Sequence, residues 1–328
     1  MPKNTALTVP VKKLCIDAKE ENQRIDNFLF KHYRSIPKSH IYQLIRSGQV
    51  RINGKRIAVH YHLQLGDVVR IPPIKVTEKD ALRPTTIAPS NFLTINTLFE
   101  DEAILVVDKP CGMAVHGGSG ISFGVIEQLR AQNPSWKFLE LVHRLDRETS
   151  GVLLLAKKRS ALVELHRQIR ENLVKKYYLT MVEGKWHNRV QHVKLALNKF
   201  ITASGERRVQ ISNNASIKPM QAHTIFKLLK TWKNFSLLEA ELKTGRTHQI
   251  RVHLAHLGFP IIGDSKYGNF KTNKQLAKET NGYHLSRMFL HAQSLQIKHP
   301  ISKEGMLLQS PLPRDLQEFI DKMDNFPI

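Results

Sequence analysis

The run His143-Arg144-Leu145-Asp146-Arg147-Glu148-Thr149-Ser150-Gly151 sets a carboxylate among basic and small polar residues just before the apolar run Val152 to Ala156. That apolar run reads as a buried strand, which puts Asp146 on a loop held at the edge of a sheet, where functional residues concentrate. A carboxylate held there can serve as nucleophile or as general base. The same nine residues also fit a solvated turn with ordinary surface charges, so the rest of the chain has to decide. Asp146 and Glu148 could be the paired carboxylates of a glycosidase, but alternate residues need not face one another, and no run of sugar-binding aromatics accompanies them.

A second block, Thr244-Gly245-Arg246-Thr247-His248-Gln249-Ile250-Arg251-Val252-His253, follows a strand that ends at Lys243. Gly245 allows a tight turn, and Thr247 can cap a helix that carries Ile250, Leu254 and Leu257 inward until Gly258 stops it. Arg246 then sits at a strand-to-helix corner, where its guanidinium could pair with a carboxylate delivered by another loop. His248, His253 and His256 suggest a metal site, but zinc sites add a carboxylate or thiolate at matched spacing and none is adjacent. Histidines on the helix surface or against RNA are the better reading. Gly117-Gly118-Ser119-Gly120 lacks the GxxxxGKS or GxxxxGKT spacing, and no GxGxxG stands between a strand and a helix, so a nucleotide-binding fold is excluded.

These blocks need a scaffold, and 328 residues allow two domains of unequal size. With 41% hydrophobic residues there is enough apolar material for a core. Fifty Lys and Arg against 28 Asp and Glu give a net charge of +22, of the sign that condenses on phosphate backbones. A basic membrane-surface protein is the rival, but there is no long apolar span, no basic amphipathic terminal helix and no lipidation signal. The start MPKNTALTVPVKK has no apolar signal core, and Cys15 and Cys111 form neither a disulfide framework nor a thiolate zinc site. A reducing cytoplasm is expected. Nothing resembles a dimerisation helix, and a monomer is expected.

Residues 1–75 hold 14 Lys and Arg against 5 Asp and Glu, a net of +9. From Arg24 to Ile71 the pattern reads helix, helix, strand, turn, strand. Ile25, Phe28, Leu29 and His32 share a helical face; Ser39 can cap a second helix that runs to Ser47 and ends at Gly48. A strand at Val50 to Ile52 runs into Asn53-Gly54, the strongest short turn signal, and Gly66-Asp67 precedes a strand at Val68 to Ile71. Lys38, Arg46, Arg51, Lys55 and Arg56 gather around the second helix and the turn, a basic surface suited to RNA backbone and shape. The patterns RIDNFL, KSHIYQLIRSGQVRINGKR and LQLGDVVRI resemble the S-four-like RNA-binding domain named for a small-subunit ribosomal protein.

Residues 76–95 read as a linker, and 96–328 as the catalytic domain. There the expected strands are Ala103 to Val107, Lys176 to Val182, and others near 190–198, 206–212, 219–229 and 235–243. Helices are expected from Ser122 and over Ser160 to Glu171. The fold class is α+β: a mostly antiparallel mixed sheet with helices packed on it, beside a small N-terminal α/β domain.

HRLDRETSG, the KxYxxxxxG stretch from Lys176 to Gly184, and LKTGRTHQIRVHLAHLGFPIIGDSKYG resemble the RluA family of pseudouridine synthases. DKPCGMAVHGGSGISFGVIEQLR, with the N-terminal domain, is similar to its RluC-type members. Glu148 stands where relatives often carry Asp. The resemblance implies a cofactor-free isomerase that detaches a uracil from its ribose, rotates it and rejoins it through carbon five. Its implied substrate is large-subunit (23S) ribosomal RNA or its precursor particle, at several uridines. It places the catalytic aspartate at Asp146, the active-site tyrosine at Tyr178, the arginine partnering the aspartate at Arg246 and the base-flipping arginine at Arg144. Whether Asp146 attacks the sugar, attacks the base or removes a proton stays open. Tyr177 is the alternative to Tyr178, and a backbone-phosphate contact the alternative for Arg144. A non-catalytic RNA-binding assembly factor is the competing class.

Overall fold

The computed structural model describes residues 6–18, 20–33, 36, 38–77, 93–117, 123–202, 207–212, 219–278 and 284–325. The chain separates into two compact units, residues 1–91 and 92–328. In the first, the helix Ile25–His32 buries Ile25, Phe28 and Leu29. His32 lies at the exposed edge with its ring against Phe28, centroids 4.3 Å apart. The helix Lys38–Arg46 turns Ile41, Leu44 and Ile45 into the same core, and Gly48 ends it at φ 72°.

Both residues of the Asn53-Gly54 turn have positive φ, 50° and 80°. That is the type I′ geometry that such a pair favours in a two-residue hairpin. Arg51–Ile52 and Lys12–Cys15 flank Val68–Ile71 in a three-stranded sheet. A further ladder, Ala6–Val9 with Ile74–Thr77, carries this unit past the expected start of the linker. Most of the expected linker, residues 78–92, lies outside the described residues. At its far end the Leu93 N–H donates to Gln128 Oε1 in the second unit, at 3.2 Å.

The second unit is built on a ten-stranded sheet. Its main path runs Val190–Lys194, His223–Thr231, Phe235–Leu242, Lys175–Glu183, Leu290–Lys298, Ser150–Ala156, Ile104–Lys109, Asn96–Glu100. Neighbours are antiparallel except Leu290–Lys298 against Ser150–Ala156, which are parallel. The expected strand near 190–198 is in fact two strands, the second, Leu197–Ile201, forming a separate hairpin with Arg207–Ile211. Helices Arg159–Arg170, Val125–Gln132 and Gln249–His256 pack on the sheet. Gly118 to Gly120 and Ser122, the expected glycine cluster and helix start, lie outside the described residues.

Ser150–Ala156 is buried along its whole length, because both of its faces are covered. Gly151, at φ 112°, allows its close approach to the neighbouring strand: a Cβ there would stand 2.2 Å from the Ala292 carbonyl oxygen. Across the sheet, Gly151, Ala292 and Tyr178 fall in one row. The loop that ends at Ser150 is thereby brought level with Tyr178.

Candidate active site

Asp146 sits in the loop between Glu140–Leu141 and Ser150–Ala156. The loop closes on itself where Thr149 N–H donates to the Asp146 carbonyl at 3.1 Å, and Leu145 anchors it in the core. The next anchor is Lys109, whose side chain is fully buried. Its ammonium donates to the carbonyls of Pro110, Met113 and Arg147 at 2.7, 2.7 and 3.1 Å. Burial pushes its pKa down to about 8, which leaves it protonated at neutral pH, with three protons for three acceptors. Lys109→Met is expected to lower stability by about 3 kcal/mol or more, because buried carbonyls lose their donors at roughly 1–3 kcal/mol each. A urea-unfolding midpoint equal to wild type would show that Lys109 does not hold the loop.

Asp146 lines a cavity of about 800 Å³, within the range of pockets that enclose small ligands. Its Oδ2 accepts a hydrogen bond from Arg251 Nη1 at 3.2 Å, and Oδ1 has no partner among the described residues. Arg251 is itself fixed by a two-pronged pair with the fully buried Asp264: Nε to Oδ2 and Nη2 to Oδ1, both 2.7 Å. Burial opposes ionisation of Asp264, but the Arg251 hydrogen bonds and charge and the N–H groups of Lys266 and Tyr267 outweigh it and hold its carboxyl below the usual range.

The expected pairing of Arg246 with Asp146 is therefore corrected: Arg251 makes it. Arg246 is exposed at the cavity rim, its Nε donating to the Gln221 carbonyl at 3.0 Å. The reason lies in where the helix begins. Thr247 is not at the N-cap; His248 occupies that position in the left-handed conformation, without a side-chain capping bond, and the helix runs from Gln249 to His256. Arg246 is left outside the helix, while Arg251 falls within its first turn on the face that buries Leu254. The sequence signal was present: Arg251 stands three residues before the buried Leu254, and an arginine so placed requires an acidic partner.

Tyr178 lines the cavity and packs in the core cluster with Leu145, Leu242 and Leu290, whereas Tyr177 does not line it. Burial, reinforced by the charge of Asp146, pushes the Tyr178 hydroxyl well above its ordinary pKa. His143 accepts the Leu154 N–H on Nε2 at 3.1 Å, and burial, with the charge of Lys176 adding to it, pushes its pKa down to about 4. It is a neutral structural acceptor at physiological pH. Arg144 is exposed at the cavity mouth.

In the first unit Lys38 lies on the helix Lys38–Arg46, and Arg46, Arg51, Lys55 and Arg56 are exposed. Arg46 lies 6.0 Å from the Tyr42 ring centroid. Arg51 Nε donates to the Gly48 carbonyl at 3.2 Å, and Arg56 crosses over Gly48. Among the described residues no group of three or more His, Cys, Asp or Glu could hold a metal. His253 is spent on Thr224 and the Leu195 carbonyl. No described helix is long and apolar enough to cross a membrane.

Residues 103–256 match the RNA pseudouridylate synthase family, and residues 23–69 match the S4 domain. The ribosomal large subunit pseudouridine synthase C of Escherichia coli (strain K12) is 47% identical over 97% of this chain and 98% of its own. That of Haemophilus influenzae is 46% identical over 95% of both. The fold is shared with human RNA Pseudouridylate Synthase Domain Containing 1, at a TM-score of 0.56 and 23% identity over 74% of this chain and 99% of that one. The chain belongs to the RluA family of RNA pseudouridine synthases, and is thus an isomerase whose substrate is RNA.

Proposed function

We propose that this chain isomerises several uridines of large-subunit (23S) ribosomal RNA, free or in a precursor particle, as a cytoplasmic monomer with Asp146 as the catalytic carboxylate. The observation that carries the reading is the Asp146 carboxylate itself, one oxygen held on Arg251, lining a nucleotide-sized cavity. The reaction breaks the bond between N1 and C1′ and forms one between C5 and C1′; C5 gives up its proton and N1 ends with one. Unstacking the target costs a few kcal/mol, and Arg144 at the mouth fills the vacated stack. Tyr178 stacks on the detached uracil. Arg246 takes a backbone phosphate at the rim. The test is release of tritium from C5-labelled large-subunit ribosomal RNA; binding without release would overturn the proposal.

In the same reading the N-terminal unit anchors the RNA through Lys38, Arg46, Arg51, Lys55 and Arg56, ahead of a linker and the catalytic domain. Replacing Arg46, Arg51, Lys55 and Arg56 together by Gln is expected to flatten the log–log salt dependence of RNA binding by up to about 3, from roughly 0.7 per lost contact on single strands. An unchanged slope would remove these residues from the RNA interface.

A further inference from the structure

His248 is built into the site in a way that the roles of Asp146, Tyr178 and Arg144 do not use. It is a non-glycine residue in the left-handed region, φ 54° and ψ 20°. Such a backbone costs of order 1–3 kcal/mol and persists where its surroundings over-determine it. Its Nδ1 lies 2.8 Å from the Tyr267 hydroxyl, and that hydroxyl also receives the Val209 N–H at 3.0 Å. An amide N–H can only donate, so it fills one acceptor position on the Tyr267 oxygen, and the tautomer in which the phenol gives its own proton to Nδ1 is the one the proposal uses. The imidazole is then left with its proton on Nε2, and Nε2 stands 3.8 Å from Asp146 Oδ2. Arg251, whose guanidinium lies 5.1 Å from the Tyr267 ring centroid, donates to the same oxygen.

We propose that His248 is a positioning residue for the isomerisation: its Nε2–H, set by the Val209–Tyr267 relay, acts with Arg251 to fix the rotation of the Asp146 carboxylate so that Oδ1 meets the nucleoside. This rests on the reading of Asp146 as the catalytic carboxylate. The terminal torsion of an aspartate is soft, and one hydrogen bond from Arg251 leaves the group free to pivot about Oδ2. At 3.8 Å the Nε2–H of His248 is beyond hydrogen-bonding distance of Oδ2 in the free protein, and closing that gap when RNA fills the cavity supplies a second donor that removes the pivot. The surroundings suit a neutral ring. Burial leads in lowering its pKa; Asp146 opposes, Arg251 and Lys266 add to the lowering, and Asp264 opposes. Protonating Nδ1 would also cost the hydrogen bond from Tyr267. A neutral donor steadies the carboxylate without adding a second full positive charge to it.

The test is tritium release by the full-length chain, with kcat and KM measured from about pH 5.5 to 9, for H248N, H248Q and Y267F alongside D146A. Asn tolerates the left-handed backbone but is too short to reach Asp146, whereas Gln places an amide N–H near the position of Nε2. H248N is expected to lower kcat by about 10- to 100-fold with KM within about 3-fold, and H248Q to recover at least about 5-fold of the loss. Y267F is expected to move the acid limb of kcat to higher pH, because the freed Nδ1 accepts a proton more readily and the resulting imidazolium competes for Asp146. Wild-type kcat per folded molecule in H248N, or an unmoved acid limb in Y267F, would overturn the proposal. Turnover by D146A would overturn the reading of Asp146 instead, whatever His248 does.

Discussion

Asp146→Ala is expected to lower tritium release from C5-labelled large-subunit ribosomal RNA by at least about 10⁴-fold, the scale of losing a group that bonds to the substrate or moves its proton. The expectation rests on how isolated this carboxylate is. Among the described residues that line the cavity, Asp146 is the one acidic side chain, so none stands ready to replace it. The variant should fold, because Arg251 keeps both of its hydrogen bonds to Asp264 and Lys109 still ties down the loop backbone. RNA affinity should stay within about 3-fold of wild type, since charge-assisted contacts to phosphate dominate binding and Arg144, Arg170, Lys176 and Arg246 still line the cavity. Turnover within about 10-fold of wild type would remove Asp146 from the chemistry. Loss of both turnover and affinity would assign it to RNA binding.

The parts of the fold that were legible in the sequence are those settled locally. Asn53-Gly54 takes the backbone geometry its residue types favour and sets the hairpin within four residues. Val152 to Ala156 reads as a buried strand because it is apolar on both faces. Leu290–Lys298 was not legible, although it joins Tyr178 to the Asp146 loop, since its pairing with Ser150–Ala156 spans about 140 residues and is parallel. No local turn signals such a pairing. The Arg251–Asp146 pair was missed for the same kind of reason: its partners are 105 residues apart, and the choice between Arg246 and Arg251 depends on where one helix begins. His248 precedes that helix in a left-handed conformation that its residue type does not advertise.

Arg251→Met should be the most damaging substitution for stability in the site. It removes the fork that neutralises Asp264, whose side chain has no exposure, and stranding one partner of a buried ion pair costs about 3–5 kcal/mol. For a domain of this size that corresponds to a fall in Tm of roughly 10 °C. The folded fraction should also lose turnover, because Asp146 Oδ2 loses its hydrogen-bond donor. A double variant, Arg251→Met with Asp264→Asn, separates the two effects. The amide removes the stranded charge and can still accept the Lys266 and Tyr267 N–H groups, so most of the Tm should return while turnover does not. Acid sensitivity gives an independent check. The carboxyl of Asp264 is held below its ordinary value in the fold, so its contribution is complete above the unfolded value near 3.9 and is lost as pH falls through the lower folded value. The double variant should lack that loss. If turnover returned along with Tm, Arg251 would be a scaffold for Asp264 alone, and the orientation of Asp146 would have to come from elsewhere in the cavity.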